Sequence, residues 1–349
     1  MTPPIITVLL MSLGLGTTIT FASSHWLLAW MGLEINTLAI IPIMAQRFHP
    51  RAVEATTKYF LTQATAAAMI LFASTTNAWI TGEWSILELS HPLPATVMTM
   101  ALALKLGLAP IHFWLPEVLQ GLDLTTGLIV STWQKLAPFA LITQLTSTTP
   151  WLLIFLGLTS TIVGGWGGLN QTQLRKILAY SSIAHLGWMI LVLQFNPSLT
   201  ILALSTYIIM TSSAFLMFKS SNSTNINTLA TSWAVAPPLS ALASLVLLSL
   251  GGLPPLTGFA PKWLILQELC KQNLPLVATV AALTALFSLY FYLRMGYAMT
   301  LTISPATLTS LSPWRFDYLT PSLMKSIWTS GALFLLPCTP TALTILLSL

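Results

Sequence analysis

Apolar runs of about 17 to 28 residues follow one another along almost the whole chain, separated by short polar or charged links. A hydrocarbon core of about 30 Å takes about 20 apolar residues in one helical crossing, so each run predicts a transmembrane helix. Eleven are predicted, at roughly 3–21, 25–44, 58–80, 93–121, 124–146, 149–169, 176–194, 197–219, 236–270, 274–302 and 326–347. The fourth and ninth are too long for one straight crossing, and each contains a pair of prolines, which a continuous helix does not accommodate. Both are read as broken helices, which persist in a bilayer where water or neighbouring protein satisfies the freed backbone groups.

The links carry the charge. Eleven crossings put the termini on opposite sides; Arg47, Arg51, Lys58, Arg175, Lys176, Lys219, Arg294, Arg315 and Lys325 then fall on the N-terminal side, and only Lys271 on the other. By the positive-inside rule the N-terminus faces the cytoplasm or its organellar equivalent, the matrix. The polar stretch 219–232 predicts a surface loop. The segment 303–325 is expected along the membrane surface, with Trp314 and Tyr318 at headgroup level, and Trp26, Trp79 and Trp151 read as interface anchors.

The two broken spans match. Gly107-Leu-Ala-Pro110, five residues and Pro116 correspond to Gly252-Leu-Pro-Pro255, five residues and Pro261, at a constant offset of 145. Each is the fourth of a set of five spans, so spans one to five and six to ten are read as repeats. Because five is odd, the second set crosses in the opposite sense: an inverted repeat, the architecture in which transporters set broken helices and ion sites near the midplane. The predicted fold is therefore an all-α integral membrane protein with eleven transmembrane helices. Residues 1–147 form the first five-helix repeat (broken helix 93–121), 148–302 the second (broken helix 236–270), and 303–349 a surface segment and a last helix.

Composition agrees: 55% of residues are hydrophobic and 6% charged, against about 25% charged in soluble domains, and the mean hydropathy is +0.81. The N-terminal MTPPIITVLL has neither a basic region nor a small-residue cleavage site, so the first span reads as retained. Cys270 and Cys338 form no CxxC or Cys/His pattern, which argues against disulfide, zinc and iron–sulfur chemistry, and they read as small apolar fillers. No nucleotide-binding glycine motif occurs. The net charge of +5 resides in short links between spans, a pattern of membrane orientation and not of nucleic-acid binding.

Against that background the ionisable residues inside spans stand out. Glu34 lies nine residues into span two, Lys105 about twelve into span four, Lys135 about eleven into span five and His185 about nine into span seven. At 1.5 Å per residue all four fall near the bilayer centre. Lys262 directly follows the second break, and His112 follows the first. A charge at that depth costs about 2.5 to 3.5 kcal/mol on insertion scales, so a lysine there pairs with a carboxylate or water, or deprotonates. Glu34 and Lys105 form the expected pair, and a proton path through Glu34, Lys105, Lys135, His185, His112 and Lys262 is the expected use. The competing reading is that the lysines snorkel or only tie helices together; their mid-span positions weigh against it. Glu54, Glu117 and Asp123 read as solvated link charges.

The stretches SSHWLLAWMGLEINTLAIIPIM, RAVEATTKYFLTQA, LALKLGLAPIHFWLPEVLQGL, LRKILAYSSIAHLGWM and GGLPPLTGFAPKW closely resemble the antiporter-like membrane subunits of vertebrate mitochondrial NADH:ubiquinone oxidoreductase, respiratory complex I. The resemblance implies fourteen-helix relatives with two inverted repeats, of which this chain lacks the first three helices. It also implies that Glu34 and Lys105 form the charged pair of a first half-channel, with Lys135 on the central axis, Lys262 on the second broken helix and His185 between. It implies a mitochondrial inner-membrane subunit that moves protons from matrix to intermembrane space beside other membrane-arm subunits and lipids such as cardiolipin. FMN, iron–sulfur clusters and ubiquinone would belong to other subunits, with no cofactor in this chain. The offset carries Glu34 to Ala179, so the second half lacks the equivalent acid. A stand-alone cation/proton antiporter and a structural subunit with an inactive channel are the alternatives.

Overall fold

The computed structural model describes all residues except 1–2, 47–48, 90, 146–148, 236, 301–322 and 349. The described residues form sixteen α-helices, with two isolated backbone bridges, His25 to Ser85 and Gln173 to Asn225, in place of any strand. Six helices are long and apolar enough to cross a membrane, and a bent pair near the C-terminus would make a seventh. The chain divides into two compact units, residues 1–160 and 161–349.

The first unit contains α1 (Pro3–Ala22), α2 (Trp26–Met44), α3 (Pro50–Thr81), α4 (Pro92–Leu106), α5 (Trp114–Gly121), α6 (Leu124–Ser131), α7 (Trp133–Gln144) and the start of α8 (Pro150–Gly168). Small residues allow α1 and α2 to meet closely: a Cβ on Gly16 would lie 2.8 Å from the Gly32 carbonyl oxygen, and one on Gly32 equally close to that of Gly16. Such contacts suit a medium where apolar burial does not drive helix association. α3 packs on α2, α4 and α5. Its buried face carries Thr56, Gln63, Ser74 and Asn77, which makes it less apolar than its length implies. The predicted fifth span is interrupted: Ser131 and Thr132 both donate from their hydroxyls to the Leu128 carbonyl, at 3.0 and 2.7 Å, and the chain restarts as α7 at Trp133. Such back-bonding loosens a helix ladder.

The second unit continues from α8 through α9 (Leu174–Leu193), α10 (Pro197–Ser220), α11 (Ile226–Val235), α12 (Pro237–Gly251), α13 (Phe259–Lys271), α14 (Pro275–Thr300), α15 (Leu323–Phe334) and α16 (Thr339–Ser348). α9 is buried along most of its length and packs on α10, α13 and α14.

Both predicted breaks occur, with one local geometry. α4 ends at Gly107, φ +80°, whose N–H donates to the Leu104 carbonyl while that of Leu108 reaches back to Ala103; α12 is followed by Gly252, φ +82°, with Gly252 to Ser249 and Leu253 to Leu248 in the same roles. This paired reach-back ends helices on a left-handed residue, for which glycine has no Cβ penalty. A side chain from the following half-helix then covers each helix end. Trp114 Nε1 donates to the Leu104 carbonyl at 3.0 Å, and Lys262 Nζ to the Gly251 carbonyl at 2.8 Å.

Several expectations are corrected. The polar stretch 219–232 is only partly a loop, since α11 begins at Ile226 after Thr228 Oγ1 accepts from the N–H groups of Thr224 and Asn225. The last span is bent by 68° between α15 and α16, at a turn containing Pro337, which has no N–H to continue the ladder. Trp26 is fully buried and no interface anchor: the link after α3 folds over it, with Trp26 N–H donating to Trp84 O and Ile86 N–H to Ser24 O, both at 3.1 Å. Trp79 and Trp151 are exposed at 91% and 76%. Cys270 and Cys338 are exposed and fill no core. Trp314, Tyr318, Arg315 and Arg47 lie outside the described residues.

Candidate functional site

α2 carries Glu34 and α4 carries Lys105 in its last turn. These helices bring Lys105 Nζ to 3.8 Å from Glu34 Oε1, with the lysine side chain 2% exposed and the carboxylate 25%. The two are within ion-pair range but not hydrogen-bonded: Glu34 Oε1 and Lys105 Nζ both lack a hydrogen-bond partner. Thr37, one turn along α2, donates to Glu34 Oε2 at 3.3 Å. At about 4 Å and an effective dielectric near 20, two unit charges attract by about 4 kcal/mol. That is of the same order as the insertion cost of one charge at the midplane.

Lys135 occupies the first turn of α7 and is 2% exposed. Lys105 and Lys135 line one cavity with Asn36, Thr37, Tyr59, Gln63 and Gln134, closed by Leu33, Leu106, Trp114, Val130 and Pro138. It offers about 10 Å³ to the centre of a water molecule, close to the room one water needs. Gln134 Nε2 donates to the Asn36 carbonyl at 3.3 Å, tying α7 to α2 across it. The uncharged residues Asn36, Tyr59, Gln63 and Gln134 are absent from the sequence reading. Three amides and a phenol within predicted spans are their only mark in the sequence.

His112 is buried in the first break, its Nδ1 3.2 Å from the Pro110 carbonyl and its ring 4.4 Å from that of Phe113. At the N-terminal end of α3, Lys58 joins Glu54 and Glu117, each at 2.7 Å, so that α3 clamps α5. The Lys58 hydrogen bond and charge hold the Glu54 carboxyl below its usual range.

In the second unit His185 lies buried on α9 with its ring 5.6 Å from that of Tyr207 on α10. Lys262, in the first turn of α13, lies across Gly252, and besides Gly251 its Nζ faces the Leu250 carbonyl at 3.5 Å. A cation on the last carbonyls of a helix meets the negative end of its dipole. Among the described residues no group of three or more His, Cys, Asp or Glu side chains is placed to hold a metal ion.

Residues 23–288 match the family described as the NADH:quinone oxidoreductase/Mrp antiporter transmembrane region, and residues 289–343 match the NADH dehydrogenase subunit 2 C-terminus. The chain is 74% identical over 347 residues to NADH-ubiquinone oxidoreductase chain 2 of Salmo salar, covering 99% of each, and 73% identical to that of Oncorhynchus mykiss, covering 100% of each. Its fold matches a chain of respiratory complex I from Thermus thermophilus with a TM-score of 0.81 and 27% identity, over 98% of this chain and 78% of that one. A chain of the archaeal membrane-bound sulfane sulfur reductase shares the fold alone, at a TM-score of 0.83 and 16% identity, over 97% of this chain and 74% of that one. An interior lysine–carboxylate pair beside a broken helix thus occurs in a chain whose length is matched throughout, and the chain belongs to the NADH:quinone oxidoreductase/Mrp antiporter membrane family, in its NADH-ubiquinone oxidoreductase chain 2 branch.

Proposed function

We propose that this chain is a proton-translocating membrane-arm subunit of a respiratory NADH:ubiquinone oxidoreductase, moving protons from matrix to intermembrane space without a redox centre of its own. It takes part in the translocase reaction as a subunit, while flavin, iron–sulfur and quinone chemistry belong to other subunits. The observation that carries the reading is Lys105, which shares one buried cavity with Lys135 and stands 3.8 Å from Glu34 without a hydrogen bond.

A charge change in a neighbouring subunit alters the Glu34–Lys105 attraction. Lys105 then releases or takes up a proton through water toward Lys135. In the second half, His185 passes charge between the central axis and Lys262, which exchanges with one bulk phase, and His112 serves the first break. Burial makes each charged state costly, and a partner charge offsets that cost.

The finer architecture belongs to the same proposal: eleven membrane spans in two inverted five-helix repeats, residues 1–147 and 148–302, followed by 303–349. The matching helix ends at Gly107 and Gly252 support it. The N-terminus faces the matrix of a mitochondrion, the chain sits in the inner membrane, and its partners are neighbouring antiporter-like subunits and lipids such as cardiolipin.

The family's link to Mrp antiporters favours one second reading, a stand-alone cation/proton antiporter. Mild-detergent extraction separates the two. A complex subunit copurifies with NADH-oxidising subunits and gives no sodium- or potassium-driven proton exchange when reconstituted alone; free extraction with such exchange would overturn the proposal.

A further inference from the structure

We propose that Gln63 on α3 is a positioning residue for proton transfer: its side-chain amide fixes a water between Lys105 and Lys135. The inference rests on the proton-transfer reading above and adds a residue to it that carries no charge. Gln63 is 4% exposed and lines the same cavity as both lysines. Its Nε2 is buried with no hydrogen-bond partner, as is Lys105 Nζ. Both atoms are donors, so neither satisfies the other, and together they call for an acceptor.

No protein acceptor reaches either atom: Glu34 Oε1 stands 3.8 Å from Lys105 Nζ, beyond hydrogen-bond distance, and Asn36 Oδ1, on another residue of the cavity lining, is itself buried without a partner. Water is the small acceptor that fits the room available, and buried water characteristically takes about three bonds from otherwise unpaired polar groups. A water bonded to Gln63 Nε2 and to Lys105 Nζ keeps its own two protons for other acceptors in the cavity.

The transfer then balances. An N–H bond of protonated Lys105 breaks as an O–H bond forms on the water; another O–H bond of that water breaks as an N–H bond forms on neutral Lys135. The water is regenerated and one positive charge has moved from one lysine to the other. Gln63 neither gains nor loses a proton. It holds the water oxygen so that the lone pair facing Lys105 and the proton facing Lys135 are both available, which a freely turning water achieves only part of the time. Tyr59, one turn before Gln63, packs edge-on against Trp114 at 5.8 Å and holds this face of α3 against the first break.

The test uses the assembled complex in liposomes, with protons delivered per NADH oxidised measured for Gln63→Leu, Gln63→Asn and Lys105→Met. All values are normalised to the amount of intact complex. Gln63→Leu is expected to lower protons per NADH as far as Lys105→Met does, and Gln63→Asn, which keeps an amide donor, to restore most of the loss. Gln63→Met replaces the leucine variant if the latter fails to assemble. A leucine or methionine variant that assembles and delivers the full number of protons, while Lys105→Met does not, overturns the role of Gln63. Equal loss in the leucine and asparagine variants overturns it too, since the amide would then be irrelevant. If Lys105→Met itself delivers the full number, the proton-transfer reading fails instead.

Discussion

Single residues at the two breaks show how backbone and charge are joined. Gly252 has φ +82° and carries the Lys262 side chain across it, so that a Cβ there would lie 2.9 Å from Lys262 Cδ and 3.0 Å from Nζ. Gly82, which closes α3 at φ +78°, has nothing within 4 Å of the same position. Alanine at either site meets the left-handed penalty of about 1–2 kcal/mol, but only at Gly252 does it also push an ammonium off its carbonyl. Gly82→Ala is therefore expected to lower the thermal stability of the complex slightly with full pumping. Gly252→Ala is expected to lower both, and equal pumping in the two variants would show that the placement of Lys262 does not matter. Charge was the legible signal at this scale: Glu34, Lys105, Lys135 and Lys262 stand out because a bilayer makes each expensive. Gln63 and Tyr59 gave no such signal, because an amide or phenol in an apolar run costs far less and only the packing of α3 reveals which way it faces.

Helices were legible by length and hydropathy, and their interruptions only where proline marks them. The breaks at 107–113 and 252–258 were read from Gly/Pro pairs, and both occur. The interruption at Thr132 and the helix α11 were not, because no proline or glycine stands at 131–133 to mark the first, and the second starts from a Thr228 cap within a stretch of turn-forming residues. The bend between α15 and α16 also escaped a reading by apolar content, although Pro337 lies in it. That bend has a partner: Ser249 in α12 and Thr257 in the second break both donate to the Ala332 carbonyl, at 2.8 and 2.5 Å. The last helix pair is thus fastened to the broken helix that carries Lys262. Replacing both hydroxyls, Ser249→Ala with Thr257→Val, removes two bonds worth about 1 kcal/mol each. Faster amide exchange over residues 332–339 of the assembled complex is the expected result, and unchanged exchange would mean that the fastening is idle.

At the scale of the whole molecule, the two units end their first half-helices in the same way but furnish them differently. In the first, the indole of Trp114 covers the helix end and a lysine–carboxylate pair sits beside it; in the second, Lys262 covers the helix end itself, and Ala179 stands where the offset would place an acid. The position 145 residues before Lys262 is Glu117, which lies exposed in the Lys58 clamp. Sequence pattern revealed the shared breaks because Gly and Pro are tied to backbone geometry, while the division of labour follows from side-chain reach, which spacing does not encode. The charged pair of the first unit, not the second break, is therefore the part on which the proposed transfer depends most. The direct test is the number of protons delivered per NADH by complex carrying Lys105→Met in sealed liposomes, with NADH oxidation followed in the same sample. A fall in that number, or in coupled turnover, with normal assembly is predicted; full pumping at full turnover would contradict the account.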